Sequence, residues 1–370
     1  MPKIALIHDH LVQDGGAEQV LKVLKEMFPE APIFTIVADK TKTNGYFANK
    51  EIKTSFLQSF PWGVKKYQWY LPFMPAAIES HDLRGYDLVI SSASSFAKGV
   101  ITHPGTTHIC YCHTPTRYLW HDTQNYLDEL KVIAPIKKFL PLTLRQLRTW
   151  DRLAVNRVDY FIANSQTVAG RIKKYYQRNS QVIYPPVDMA QFAISDRPKK
   201  YFLAGGRLVP YKRFDLAVLA FSRLGIPLKI FGLGPELRRL KSLAKPNVEF
   251  LGKVNDEAKG ELYANCLAYL NPQEEDFGIT AIEAMASGRP VIAYNRGGAT
   301  ETIEPGLSGE FFDEQIWEDL ADMVIRFQPE KYDPLAIRRH AERFSTERFK
   351  KQMGELISAV TDKEFKTHDL

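Results

Sequence analysis

The sequence predicts an α/β protein with two doubly wound parallel sheets, and three observations carry that expectation. Short apolar, β-rich runs alternate with helical stretches along the whole chain, the pattern of parallel sheets covered by helices on both faces. The alternation restarts after "YPPVDMAQFAISDRPKK", where prolines and charges interrupt it. At 370 residues the chain has room for two domains of ordinary size.

In the first half the strand candidates are "KIALIH", "IFTIV", "YDLVISS", "HICYCH", "YFIANS" and "SQVIYPP", with helical runs at 16–28, 141–157 and 165–176. The second half opens at "YFLAGGRL" and continues through "LKIFG", "VEFLG", "LAYLNP", "PVIAY" and "GEFFD". These runs place an N-terminal domain at 1–186, a linker at 187–199 and a C-terminal domain at 200–344. A closing helix at about 345–370 is expected to pack back onto the N-terminal domain. Two doubly wound domains facing across a cleft would bind ligand where the C-terminal ends of their strands converge.

Composition narrows the class. The chain is 45% hydrophobic and 25% charged, as in globular proteins. It has no run of eighteen apolar residues, and "MPKIALIHDHL" reads as a buried strand rather than a signal peptide. Three cysteines, Cys110, Cys112 and Cys266, suit reduced thiols in the cytoplasm. Charge is uneven: residues 1–184 hold 23 Lys and Arg against 15 Asp and Glu, the rest 26 against 28. The basic half points to anionic partners such as a membrane surface or phosphorylated substrates. Nucleic acid ranks last, because no zinc finger or single-strand-binding motif is present.

The chemistry-bearing motifs fall at strand ends. In "NPQEEDFGITAIEAMASGRPVIAY", Glu275 and Glu283 bracket the start of a helix that begins just after Asp276 and stops at Gly288-Arg289-Pro290. Such a terminus attracts anions, and Gly278 lets a ligand approach its backbone closely; alone, the acids read first as ordinary helix caps. "HDHLVQDGGAEQVL" opens a helix at Gly15-Gly16 without dinucleotide-fingerprint spacing, so NAD is not expected. In "AGGRLVPYKRFDL", Arg207 and Lys212 lie within reach of one phosphate group, or serve as solvated surface cations. "CHTPTRYLW" puts His113 at a strand end, where a structural role competes with a catalytic one.

Taken together, "GGAEQVL", "CHTP", "ANSQTVAGRI", "YPPVD", "GRLVPYKRFDLAVLAF", "GKVNDE" and "EEDFGITAIEAMASGRPVIA" resemble the retaining glycosyltransferases of family 4, nearly end to end. The last stretch matches that family's E-x7-E signature, and "YCHTPTRYLW" looks like bacterial O-antigen-type mannosyltransferases. The resemblance implies the GT-B architecture of two Rossmann-like domains. It implies that Glu275 holds donor-sugar hydroxyls and Glu283 the ribose, with Phe277 and Gly278 between them. Arg207 and Lys212 would neutralise the diphosphate, Gly15 and Gly16 would approach it, and His113 would sit near the sugar ring. Lys253 and Val254 would contact the base.

The expected activity is therefore metal-independent retaining transfer of a hexose, mannose from GDP-mannose, to a saccharide or lipid-linked saccharide acceptor with an α-linkage. No cofactor is expected beyond the nucleotide-sugar co-substrate, since no Asp-x-Asp cluster is placed to hold a metal and fixed cations take its part. The alternatives are a UDP-sugar donor, or a non-catalytic scaffold of a glycan-assembly complex. Localisation is expected to be cytoplasmic and peripheral on the inner face of the membrane. "FPWGVKKYQWYLPF" and the basic stretch with Lys131, Lys137, Lys138, Arg145 and Arg148 would meet anionic lipid there.

Overall fold

The computed structural model describes residues 2–43, 45–123, 134–196 and 198–367, with backbone alone at 134–139 and 362–367. The chain divides into two compact units, residues 1–184 with 350 onward, and residues 185–349.

In the first unit the apolar runs pair as seven parallel strands: β1 Ile4–His8, β2 Ile33–Thr35, β3 Ile52–Thr54, β4 Leu88–Ala93, β5 Thr107–Cys112, β6 Tyr160–Ala163 and β7 Ser180–Val182. Their order is β3-β2-β1-β4-β5-β6-β7. Every residue of β4 and β5 is buried, because helices cover both faces of a parallel sheet and leave no solvent face to alternate with. The edge strand β3 escapes sequence reading: "IKT" is short, and no residue of it is fully buried.

The second unit is a six-stranded parallel sheet ordered β10-β9-β8-β11-β12-β13. Its strands are β8 Phe202–Gly205, β9 Leu228–Phe231, β10 Val248–Gly252, β11 Tyr269–Asn271, β12 Val291–Tyr294 and β13 Gly309–Phe312. Each lies within an expected run. Phe202, Phe214, Phe221, Ile230, Leu270 and Leu320 share its core.

Within the stretch 187–199, read as a linker, Val187 and Phe192 are packed into the second unit. Val187 N–H donates to the Phe344 carbonyl, and Phe192 is buried beside Tyr263. The Arg338 guanidinium donates to the Phe192 and Met189 carbonyls. Apolar residues hidden among the prolines give this segment a core to join. The last helix, Thr346–Thr367, starts in the second unit, and from Lys350 it belongs to the first, where Lys350 Nζ meets Glu26 Oε2 at 2.8 Å.

A buried ion pair fixes the inside of the first unit. Lys98, 1% exposed, lies 2.5 Å from Asp151 Oδ1. Thr116 Oγ1 donates to the same oxygen at 2.8 Å, and Trp120 Nε1 donates to Oδ2 at 2.8 Å. Burial alone would lower the lysine pKa, but the Asp151 charge and hydrogen bond, with smaller help from Cys112 and Cys110, together leave it raised. Neither residue was singled out from the sequence. Lys98→Met leaves a buried carboxylate without its cation, and urea unfolding is expected to show a loss of about 3–5 kcal/mol.

Candidate active site

Two topological switch points position the loops. In each sheet the strand order reverses beside the first strand, at β1/β4 in one unit and at β8/β11 in the other, and ligands of such sheets bind outside the C-terminal ends there. Arg207 and Lys212 follow β8, and Glu275 to Gly278 follow β11. Gly15 and Gly16 follow β1, and His113 comes directly after β5.

The loop after β8 is bent by residues in left-handed backbone. Gly206 has φ +132°, and a Cβ there would come within 3.2 Å of Lys212 Nζ. After the turn Pro210–Lys212, Arg213 takes φ +50° and starts the helix Phe214–Leu224, its guanidinium held by Asp215 and Gln315. This bend sets Lys212 against the second loop, with Nζ 2.8 Å from Glu275 Oε1 and both side chains largely buried. Burial pushes the Lys212 pKa down, but the adjacent Glu275 carboxylate and Tyr211 together leave it raised, so the ammonium stays charged. Arg207 is exposed.

The helix after Glu275 spans Ile279–Ala286, two residues later than the sequence suggested. Gly278 at its start has φ +91°, which helical backbone excludes, so Phe277 and Gly278 form a sharp turn before it. No side chain caps this terminus, and Glu275 Oε2 lies 3.5 Å from where a Gly278 Cβ would be. Phe277 is buried against Phe344.

Sequence reading missed Gly297 and Gly298, which seat this turn from the loop after β12. Gly298 N–H donates to the Glu275 carbonyl at 2.8 Å, and a Cβ on Gly298 would lie 2.5 Å from Phe277 Cα. The adjacent glycines in "NRGGATE" were the available signal.

Glu283 lies one turn inside the helix, clamped by two residues that sequence reading also missed. Lys259 Nζ is 2.9 Å from its Oε1, and Tyr263 OH donates to Oε2 at 2.9 Å. Burial would lower the Lys259 pKa, yet Glu283 holds it raised. Both partners come from the helix Asp256–Asn265. Lys253, exposed, and Val254, half-buried, occupy the turn before that helix. Among the described residues no three His, Cys, Asp or Glu side chains gather as a metal-binding group.

In the first unit, Gly15 donates its N–H to Glu18 Oε2 at 2.8 Å and has φ −133°, an extended conformation open to any residue. Its smallness therefore matters only for close approach. Gly16 is exposed as the first residue of the helix Gly16–Met27. His113 Nε2 is 2.8 Å from Ser92 Oγ, which also lies 3.2 Å from His8 Nδ1. Beside them Asp9 accepts four backbone N–H bonds, from Ser94, Ser95, Phe96 and Ala97.

Residues 188–344 match the profile of the glycosyl transferases group 1, and residues 14–191 that of glycosyltransferase family 4. The chain belongs to this glycosyltransferase family. It is 27% identical over 252 residues to the α-1,3/1,6-mannosyltransferase ALG2 of Dictyostelium discoideum, covering 54% of this chain and 56% of that one. It is 30% identical over 194 residues to the O-antigen chain mannosyltransferase C of Escherichia coli, covering 48% and 50%. The chain thus spans about half the length of these curated relatives. Among solved structures, Anabaena HepE in complex with UDP and glucose superposes with a TM-score of 0.72 at 19% identity, covering 97% of this chain and all of that one. Sucrose-phosphate synthase of Thermosynechococcus elongatus gives 0.73 at 19%, covering 98% and 100%. Both likenesses are of fold, and that fold is GT-B.

Burial holds the His113 pKa at about 4, with the nearby His8 adding to the depression. Burial does the same for His108 and His81. These three are neutral at pH 6, whereas an unfolded histidine titrates near 6.5. Between these values the unfolded chain binds protons that the folded chain refuses, so stability is fully present above about 6.5 and falls as pH drops toward 4. Urea midpoints from pH 7.5 to 4.5 are expected to decline across that window, and imidazole resonances assigned to His113 should not titrate above pH 5.

Proposed function

We propose that this chain is a retaining glycosyltransferase that moves a hexose, mannose from GDP-mannose, onto a saccharide or lipid-linked saccharide in bacterial surface polysaccharide or glycolipid synthesis. The observation that carries the reading is the Lys212–Glu275 pair beside the uncapped helix start at Gly278. A donor's diphosphate would meet Lys212, the Arg207 guanidinium and the N–H groups of that helix. These would stabilise the charge that grows as the anomeric C–O bond breaks. Glu275 would take the sugar hydroxyls. Glu283, held in place by Lys259 and Tyr263, would accept hydrogen bonds from the ribose. Phe277 and Gly278 would supply backbone near the sugar and diphosphate, and Lys253 and Val254 would contact the base. In the first unit, Gly15, Gly16 and His113 are the residues assigned to the donor, with His113 as a neutral imidazole.

The acceptor hydroxyl would form its bond to the anomeric carbon on the face from which the diphosphate departs, giving an α-linked product. Its proton would pass to the leaving phosphate. With cations and helix N–H groups assigned to the leaving group, no metal is required in this scheme.

The relatives named mannosyltransferases support the mannose reading. A UDP-sugar is the second reading, favoured by the UDP and glucose bound to the structural neighbour HepE. In a transfer assay with EDTA present, GDP-mannose is expected to serve as donor, and calorimetry to give tighter binding for GDP than for UDP. Preference for UDP would move the assignment to a UDP-hexose. Arg207→Ala and Lys212→Ala should each lower turnover about 10²-fold, roughly 3 kcal/mol of transition-state stabilisation. Glu283→Ala should weaken nucleotide binding, while Glu275→Ala should damage transfer more than nucleotide binding.

For localisation we infer peripheral contact with anionic lipid. Among the described residues no helix is long and apolar enough to cross a membrane. Trp62, Trp69 and Phe73 are exposed, whereas Tyr67 and Tyr70, also expected at the surface, pack against the core. Trp62 holds a left-handed φ of +53°, a strained backbone for a bulky residue, and Lys66 Nζ lies 4.0 Å from the ring centre of Trp69. Residues 52–78 contain three lysines and no acid, which suits an anionic surface. Of the second basic stretch, Lys131 and the side chains of Lys137 and Lys138 lie outside the described residues. Co-sedimentation with anionic liposomes at low salt is expected, with loss when Lys65 and Lys66 become Glu; protein left in the supernatant would remove this contact.

A further inference from the structure

The first unit holds a basic cavity that the transferase reading does not use. It has a volume of about 430 Å³ and is lined by Arg145, Arg148, Arg152, Lys174, Trp120 and Tyr175, with Leu153 at its side. That is large enough for a small molecule, whose sites run from roughly 300 Å³ upward. The three arginines recur at spacings of three and four along the helix Ala134–Ala154, so they share one face. Lys174 comes from the widened π-helical turn Ile172–Tyr176, which ends at Gln177 in left-handed backbone. Such turns often mark functional sites.

Among the described residues the cavity's charge is uncompensated: no described carboxylate lines it, and none of the four cations pairs with a described Asp or Glu. Asp151, on the same helix, is committed to Lys98, Thr116 and Trp120. Two of the guanidiniums are anchored by backbone: Arg148 Nε donates to the Leu119 carbonyl at 2.6 Å, and Arg152 donates to the Tyr175 carbonyl. Their positions are therefore set before any ligand arrives. Trp120 stacks on Tyr175 with ring centres 5.3 Å apart, and Leu153 is exposed.

We propose that this pocket binds a diphosphate group carried on an apolar body. Four cations lining one pocket with no described counter-charge suit a multiply charged anion, and guanidinium forks match phosphate oxygens. The stacked rings and Leu153 supply an apolar wall beside them. The same diphosphate chemistry could come from a lipid-linked compound or from a soluble phosphate compound. The site stands independently of the roles given to Arg207 and Lys212.

The test is calorimetric titration of the full chain with inorganic pyrophosphate at low salt, in a background of Arg207→Ala and Lys212→Ala so that the donor side contributes no heat. Adding Arg145→Ala and Lys174→Ala, which remove side chains with no ion pair to a described residue, is expected to weaken pyrophosphate about tenfold or more with an unchanged melting temperature. Arg145→Lys in place of Arg145→Ala should recover part of the loss. Lys241→Ala with Lys245→Ala, a charge-matched pair in the other unit, should leave binding unchanged. Binding indifferent to Arg145 and Lys174, or weakened equally by the control pair, overturns the proposal. Farnesyl diphosphate tests the apolar body: tighter binding than pyrophosphate assigns the pocket to a lipid-linked ligand, and equal affinity overturns that part of the proposal and leaves a site for soluble diphosphate. Failure of the donor reading would show separately, as pyrophosphate binding by the otherwise native chain that ignores Arg207→Ala and Lys212→Ala.

Discussion

A parallel sheet covered on both faces leaves only its strand ends open to solvent, and both units are organised by that constraint. Strands β4 and β5 are buried along their whole length, as are β8, β11 and most of β12. Polar chemistry is pushed to the loops after the strands, where the reversal of strand order separates neighbouring loops enough to admit a ligand. Lys212 and Glu275 come from the two strands that flank such a reversal. Their pairing follows from topology, since 63 residues separate them in the chain.

Close backbone approach is the second requirement at these ends. A Cβ on Gly232 would lie 1.8 Å from the Gly206 carbonyl oxygen, so the loops after β8 and β9 touch main chain to main chain. Gly298 against Phe277 repeats the arrangement after β12. Glycine here creates proximity: it lets one loop brace another, so that the charged side chains above them are held without a large apolar contact. The buried acids and bases of the first unit are braced differently, by saturating their hydrogen-bonding capacity. Asp9 with its four backbone donors and Asp151 with Lys98, Thr116 and Trp120 both show this. A half-satisfied charge at either place would cost more than the fold gains from burying it.

The α/β class, twelve of the thirteen described strands, and the loops in which the candidate donor residues sit were legible in the sequence. Apolar runs of strand length, the turn glycines and the E-x7-E spacing are local signals, and they survive in one dimension. β3 was illegible because three half-polar edge residues carry no periodicity. The start of the helix after Glu275 was misplaced because the positive φ of Gly278 is a backbone fact, not a composition. The tertiary structure alone decided which charges meet. Lys259 and Tyr263 on Glu283, Lys98 on Asp151 and the four cations around Trp120 are contacts between distant segments, fixed by how helices pack on the sheet. Val187 and Phe192 are likewise packed rather than loose: Val187 is buried and donates to the Phe344 carbonyl, and Phe192 meets Tyr263, partners that no linear reading of prolines and charges reveals.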